Sequence, residues 1–223
     1  MRKEPEETRM KKRLLFILIV LVSASLACQA IERVTKTEQP SNVLFQDDFS
    51  DPSSGWDRIT EATGQSDYVD GKYRIFVDDT NTDVWSNPGL DFTDVRVEVD
   101  ATKVAGPDDN DFGVTCRTES ADNFYFFIIS SDGYYGIGKV KGDQQDLIQM
   151  DALQPVDAIK QGGTTNHIRA DCIGDALTLY VNGQKINEVH DAEFTSGDVG
   201  LMAGSFDTPG TDIHFDNFQV LKP

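Results

Sequence analysis

Val95-Arg96-Val97-Glu98-Val99-Asp100-Ala101-Thr102 decides the fold class. Its apolar side chains point one way and its charged or polar ones the other, the period of two that a half-buried β-strand produces. The alternation recurs on both sides of this stretch. Phe112, Val114 and Cys116 alternate with Gly113, Thr115 and Arg117. Ile168, Ala170 and Cys172 alternate with His167, Arg169 and Asp171, and Leu177, Leu179 and Val181 with Thr178, Tyr180 and Asn182. Phe124 to Ile129 is apolar on both faces, which predicts a central strand covered on both sides. Asp70-Gly71, Asp132-Gly133 and Asn182-Gly183 are hairpin dipeptides, and Gly174-Asp175 joins two alternating runs. Such short strands with turns between them and no helix of three turns predict an all-β antiparallel sandwich or barrel. Gln144 to Gly163 is the least decided stretch, open to a strand, a helical turn or a loop.

Upstream of the strands the chain reads as an address. Arg2, Lys3, Arg9, Lys11, Lys12 and Arg13 precede an unbroken apolar run from Leu14 to Val22, and small residues then lead into Ser25-Leu26-Ala27-Cys28. That is the order of a secretory signal peptide, residues 1–27. The fourteen residues from Leu14 to Ala27 fall short of the roughly 18 that span a bilayer. Met10-Lys11-Lys12-Arg13 would itself make a compact start, so Met1 and Met10 both stand as candidate initiators. Ala27-Cys28 resembles the lipobox of bacterial lipoproteins, although Ser25 stands where Leu is usual. The resemblance implies a diacylated Cys28 as the mature N-terminus and a lipid anchor in the bacterial cell envelope, outside the cytoplasm. Residues 28–42, polar and without aromatics, read as a flexible tether, and the globular domain spans 43–223.

The cysteine count agrees with export, and the charge excludes one class of partner. The chain carries 20 basic and 38 acidic residues, a formal charge of −18. Removing residues 1–27 brings it to −21, which argues against a nucleic-acid partner. With Cys28 lipidated, Cys116 and Cys172 remain, each on an apolar-facing strand position. A disulfide between them is the expected state in an oxidising compartment, ahead of buried free thiols or metal ligation.

Leu177-Thr178-Leu179-Tyr180-Val181-Asn182-Gly183, followed by Gly197-Asp198-Val199-Gly200-Leu201, resembles the laminin-G and concanavalin A-like lectin/glucanase superfamily. Phe45-Gln46-Asp47-Asp48-Phe49 with Trp56 opens the domain and Phe215-Asp216-Asn217-Phe218-Gln219-Val220 closes it. Similar end strands occur in laminarinase-type glucanases and in the 3-keto-disaccharide hydrolase domain. The resemblance covers residues 43–223 and implies a two-sheet antiparallel jelly-roll sandwich, with ligands on its concave face or rim. It also implies a structural Ca²⁺ shared by Asp48 and Asp216. Asp108-Asp109-Asn110-Asp111 is a second acidic candidate for a cation.

Catalytic chemistry is hard to place. The glucanase motif E-x-D-x-(x)-E begins at Glu98-Val99-Asp100, but Thr102 and Lys103 stand where its second Glu belongs. A polar strand face accounts for Glu98 and Asp100 without catalysis. No Ser or Cys occupies a nucleophile elbow, and His167, His190 and His214 are scattered. Gly136-Ile137-Gly138 lacks a following helix and reads as turn glycines rather than a phosphate cradle. For sugar recognition, which needs aromatic platforms and polar groups reaching ring hydroxyls, the candidates are Trp85, Arg117, Glu119, Asn123 and Tyr125. Trp56 is expected to be packing. The expectation is therefore a lipid-anchored, non-catalytic module that binds carbohydrate or another envelope-side ligand. A glycoside hydrolase of the 3-keto-disaccharide type is the alternative, and a structural or adhesive domain the third reading.

Overall fold

The computed structural model describes residues 42–223, so the signal segment, Cys28 and nearly all of the tether lie outside the described residues. In chain order the strands are β1 (Val43–Asp47), β2 (Ile59–Thr60), β3 (Gly64–Val69), β4 (Lys72–Val77), β5 (Thr82–Ser86) and β6 (Val95–Ala105). They continue with β7 (Asn110–Ser120), β8 (Asn123–Ile129), β9 (Tyr134–Lys141), β10 (Gln144–Leu147) and β11 (Gln154–Pro155). The last are β12 (Asn166–Ile173), β13 (Ala176–Val181), β14 (Gln184–His190), β15 (Asp198–Ser205) and β16 (Thr211–Leu221). Among the described residues there is no helix.

All pairings are antiparallel, and the strands form two sheets. One has the order β14-β13-β12-β6-β16-β4-β3-β2, with β1 also on β16; the other has β10-β9-β8-β7-β15-β5, with β11 also on β9. The alternating residues face one another across this sandwich. Val97, Val99, Ile168, Leu179 and Phe215 from the larger sheet meet Val114, Phe127, Leu201 and Ala203 from the smaller, all buried in one core. Cys116 of β7 and Cys172 of β12 are joined by a disulfide between the two sheets. The hairpin dipeptides close their turns as expected. Asp70 and Gly71 have φ of 52° and 72°, Asn182 and Gly183 of 51° and 81°, the left-handed pair that a tight hairpin turn requires.

The central strand β8 is covered on both faces, but by different partners. Tyr125, Phe127 and Ile129 enter the main core, while Phe124, Phe126 and Ile128 join Met202 in a second apolar cluster on the outer face of the smaller sheet. The stretch 144–163 supplies its cover. It forms β10 and β11 with loops around them, and Leu147 and Leu153 pack on the cluster. Gly136 and Gly138, expected in a turn, lie inside β9. They stand opposite Ile128 and Phe126, and side chains there would overlap Leu153, Leu147 and the Phe126 ring. Their role is to leave space under a crowded sheet face.

Candidate functional site

Strand β5 is an edge of the smaller sheet, and its alternation divides its work. Val84 and Ser86 are buried, while Asp83 and Trp85 face outward. Trp85 is half-buried against Phe124, with ring centroids 5.3 Å apart. It borders a groove of about 490 Å³ together with Asp57, Glu61, Asn87, Glu119 and Asp198. Two of these are tied into the scaffold. The Asn87 amide donates to the Val199 carbonyl at 2.7 Å. Asp198 accepts from the Gly89 and Val199 N–H groups, each at 2.8 Å, and burial nonetheless holds its carboxyl above the usual range. Asp57, Glu61 and Glu119 are exposed at the rim. The groove thus combines an aromatic face with carboxylates able to accept from hydroxyl groups, the composition of a small-molecule site.

The sequence candidates divide. Trp85 and Glu119 come together in the groove. Asn123 starts β8 and does not line the groove; its amide donates to Ser120 Oγ at 2.8 Å and to Asp122 at 3.1 Å, which fixes the β7–β8 turn. Arg117 and Tyr125 are corrections, because neither reaches the groove. The register of β7 breaks between Cys116 and Ser120, with Arg117 at a φ of 52°. Its guanidinium, 2% exposed, donates to the Thr93 and Phe194 carbonyls and to Asp94. Tyr125 is fully buried; its hydroxyl donates to Asp191 at 2.6 Å and accepts from the Phe194 N–H at 3.0 Å. Burial and the adjacent Asp191 raise that phenol well above its ordinary range. Both side chains hold loops to the sandwich.

Trp56 is packing, as expected: it is 4% exposed, and its Nε1–H donates to the buried Asp47 at 3.0 Å. Glu98 and Asp100 sit on the outer face of the larger sheet. His167 bonds Asp100 at 2.8 Å, and Glu98 lies among Arg96, Arg169 and His167, so a polar strand face accounts for both.

Asp48 and Asp216 lie where β1 and β16 run side by side. Asp48 borders a polar cleft of about 270 Å³ with Gln46, Asn217 and Gln219. Its carboxylate accepts the Ser50 N–H and O–H, which hold it below the usual range. Asp216 instead forms an ion pair with Lys72. Among the described residues, no group of three or more His, Cys, Asp or Glu side chains is arranged to hold a metal ion. A cation at this seam would need amide and main-chain oxygens beside Asp48. Asp111, expected in an acidic loop, lies instead in β7, buried on the outer face.

No protein-family model matches the chain, and no curated protein does. Solved structures do. A carbohydrate-binding module from Bacillus subtilis aligns over 76% of this chain and 96% of its own at 18% identity, with a TM-score of 0.61. A Bacillus subtilis protein with a galectin-like fold aligns over 82% and 97% at 12% identity and 0.59. A GH16 protein from the mixed-linkage glucan locus of Bacteroides ovatus, in complex with a product, aligns over 80% and 100% at 11% identity and 0.57. At these identities the likeness establishes the jelly-roll fold.

Proposed function

We propose that the protein is a lipid-anchored, extracytoplasmic module that binds carbohydrate without cleaving it, with the Trp85 groove as its site. The observation that carries this reading is Trp85 itself. A half-buried indole beside exposed carboxylates gives a sugar ring an apolar shelf and its hydroxyls acceptors. The fold it stands on is shared with a carbohydrate-binding module and with a GH16 protein holding a product, which supports the ligand class. Glu98 and Asp100 are hydrogen-bonded or ion-paired on the opposite sheet, and this supports the non-catalytic half of the reading. Anchoring rests on Ala27-Cys28 after the apolar run. Two acyl chains on one cysteine give stable membrane attachment where a single chain gives marginal binding.

The test is a glycan array probed with the full-length protein in detergent. Specific retention on a set of polysaccharides is expected, falling at least tenfold in Trp85→Ala. Release of reducing sugar from a retained polysaccharide would instead establish the hydrolase alternative. Inertness in both assays, with self-association, would establish the adhesive one. Cys28→Ser is expected to move the protein from the membrane fraction to the soluble one; unchanged membrane fractionation would remove the anchor.

A further inference from the structure

On the outer face of the smaller sheet, Gly204 of β15 has Asp83 of β5 on one side and Asp111 of β7 on the other. A side chain on Gly204 would overlap carboxylate oxygens of both, so the glycine is what lets the two groups converge over the strand. Asp111 is 3% exposed, and its Oδ1 is buried with no hydrogen-bond partner among the described residues. A buried acceptor left unsatisfied costs about 1–3 kcal/mol, so its persistence calls for an explanation. Both carboxyls border a cavity of about 290 Å³, whose polar end includes Gln145 and whose walls include Phe126, Leu147 and Leu153. Asp83 also lines the Trp85 groove, so it belongs to both spaces.

We propose that this cavity is a second, inner subsite that takes a single sugar ring, with neighbouring hydroxyls donating to Asp111 and Asp83 and an apolar ring face on Phe126 and Leu153. The inference rests on the carbohydrate reading of the groove and names how the ligand would be gripped beyond Trp85. Size and lining select the ligand class. The cavity sits at the lower edge of small-molecule sites, roughly 300–1,000 Å³, and is far larger than a bare ion fills. Its lining mixes apolar side chains with Asn81, Thr82, Gln145 and Ser205, and among the described residues no third carboxylate, His or Cys joins the pair to make a metal site. Burial first, and then the neighbouring carboxyl, raise Asp111 well above the usual range; burial also raises Asp83, against hydrogen bonds from Gln145 and Asp111. Two carboxyls this close disfavour joint ionisation, and their remaining oxygens are acceptors. Hydroxyl donors match two convergent carboxyls set beside apolar side chains.

The experiment is saturation-transfer NMR on the full-length protein in detergent. The probes are free glucose, galactose, fructose and xylose, with calcium chloride and methylammonium in parallel titrations. At least one monosaccharide is expected to bind at millimolar concentration, tenfold or more weaker in Asp111→Asn. Leu153→Trp, which fills the cavity from a half-exposed loop position, is expected to abolish the signal and covers the case in which Asp111→Asn fails to fold. Silence of all four sugars, or equal binding in folded variants, would overturn the subsite. So would binding of calcium or methylammonium alone. The two readings separate on oligosaccharides. If Trp85→Ala abolishes their binding while Asp111→Asn and Leu153→Trp leave it intact, the groove stands and the subsite falls. If monosaccharide binding depends on Asp111 while Trp85→Ala changes nothing, the groove falls and the subsite stands.

Discussion

Arg117 shows how one residue can leave the pattern that its neighbours obey. Strict alternation from Cys116 would send it outward, toward any ligand on the sheet face. The bulge instead delivers its guanidinium to three acceptors, Thr93 O, Phe194 O and Asp94, and the last also accepts the Gly174 N–H at 2.9 Å. A left-handed backbone at a non-glycine position leaves no mark in the sequence, so this departure was not legible there. Tyr125 was illegible for another reason: in a run apolar on both faces, nothing tells which face turns inward. Trp85 keeps the alternation of β5, so its outward position was legible, whereas Glu119 lies in the same irregular stretch of β7 as Arg117. Replacing a buried, multiply bonded charge leaves its partners unsatisfied. Arg117→Met is therefore expected to lower stability by roughly 2–4 kcal/mol in urea unfolding. Arg117→Lys should recover only part of that, since one ammonium cannot reproduce a planar fork reaching three acceptors. A midpoint unchanged in Arg117→Met would mean that the loops hold without it.

Among the elements, the seven-stranded sheet does two jobs with its two faces. Its inner face completes the core, and its outer face packs large side chains against glycines in neighbouring strands. Gly136 and Gly138 of β9 stand opposite Ile128 and Phe126, and Gly113 of β7 stands opposite Ile128 on its other side. The strands, hairpins and sandwich were readable because alternation and Asx-Gly turns are local signals. The glycine rows were not, because their meaning depends on which strand becomes the neighbour, a long-range fact. For the same reason Asp83 and Asp111 could not be paired from sequence: β15 brings them together from separate strands. Gly138→Val is expected to destabilise the protein by at least the roughly 1–3 kcal/mol typical of overpacking, since it would strike both the Phe126 ring and the Asp146 carbonyl. Gly142→Asn is the control. That glycine has a φ of 61° with open space around it, a conformation that Asn tolerates, so the cost should stay under about 1 kcal/mol. Equal melting temperatures for the two variants would show that the outer face is not packed as described.

At the scale of the whole domain, two ties act between parts distant in sequence. The Cys116–Cys172 disulfide joins the sheets across 56 residues, a closure that removes about 4 kcal/mol worth of unfolded-chain freedom. The second is the β1–β16 pairing, which sets the start of the domain against its end. A calcium ion bridging that seam, which the family resemblance implies, is a proposal with a specific obstacle. Asp48 borders the polar cleft with Asn217, but the carboxylate of Asp216 is ion-paired to Lys72. An ion held by both aspartates must draw Asp216 away from that ammonium. Lys72→Met should then strengthen the calcium response, and Asp216→Asn should weaken it. A ligand at a hundredfold over its dissociation constant stabilises the folded state by about 2.7 kcal/mol. EDTA is accordingly expected to lower the melting temperature of the full-length protein, and excess Ca²⁺ to restore it. Superimposable melting curves in EDTA and in excess Ca²⁺ would assign Asp216 to Lys72 and Asp48 to Ser50. The seam would then be held by strand pairing alone.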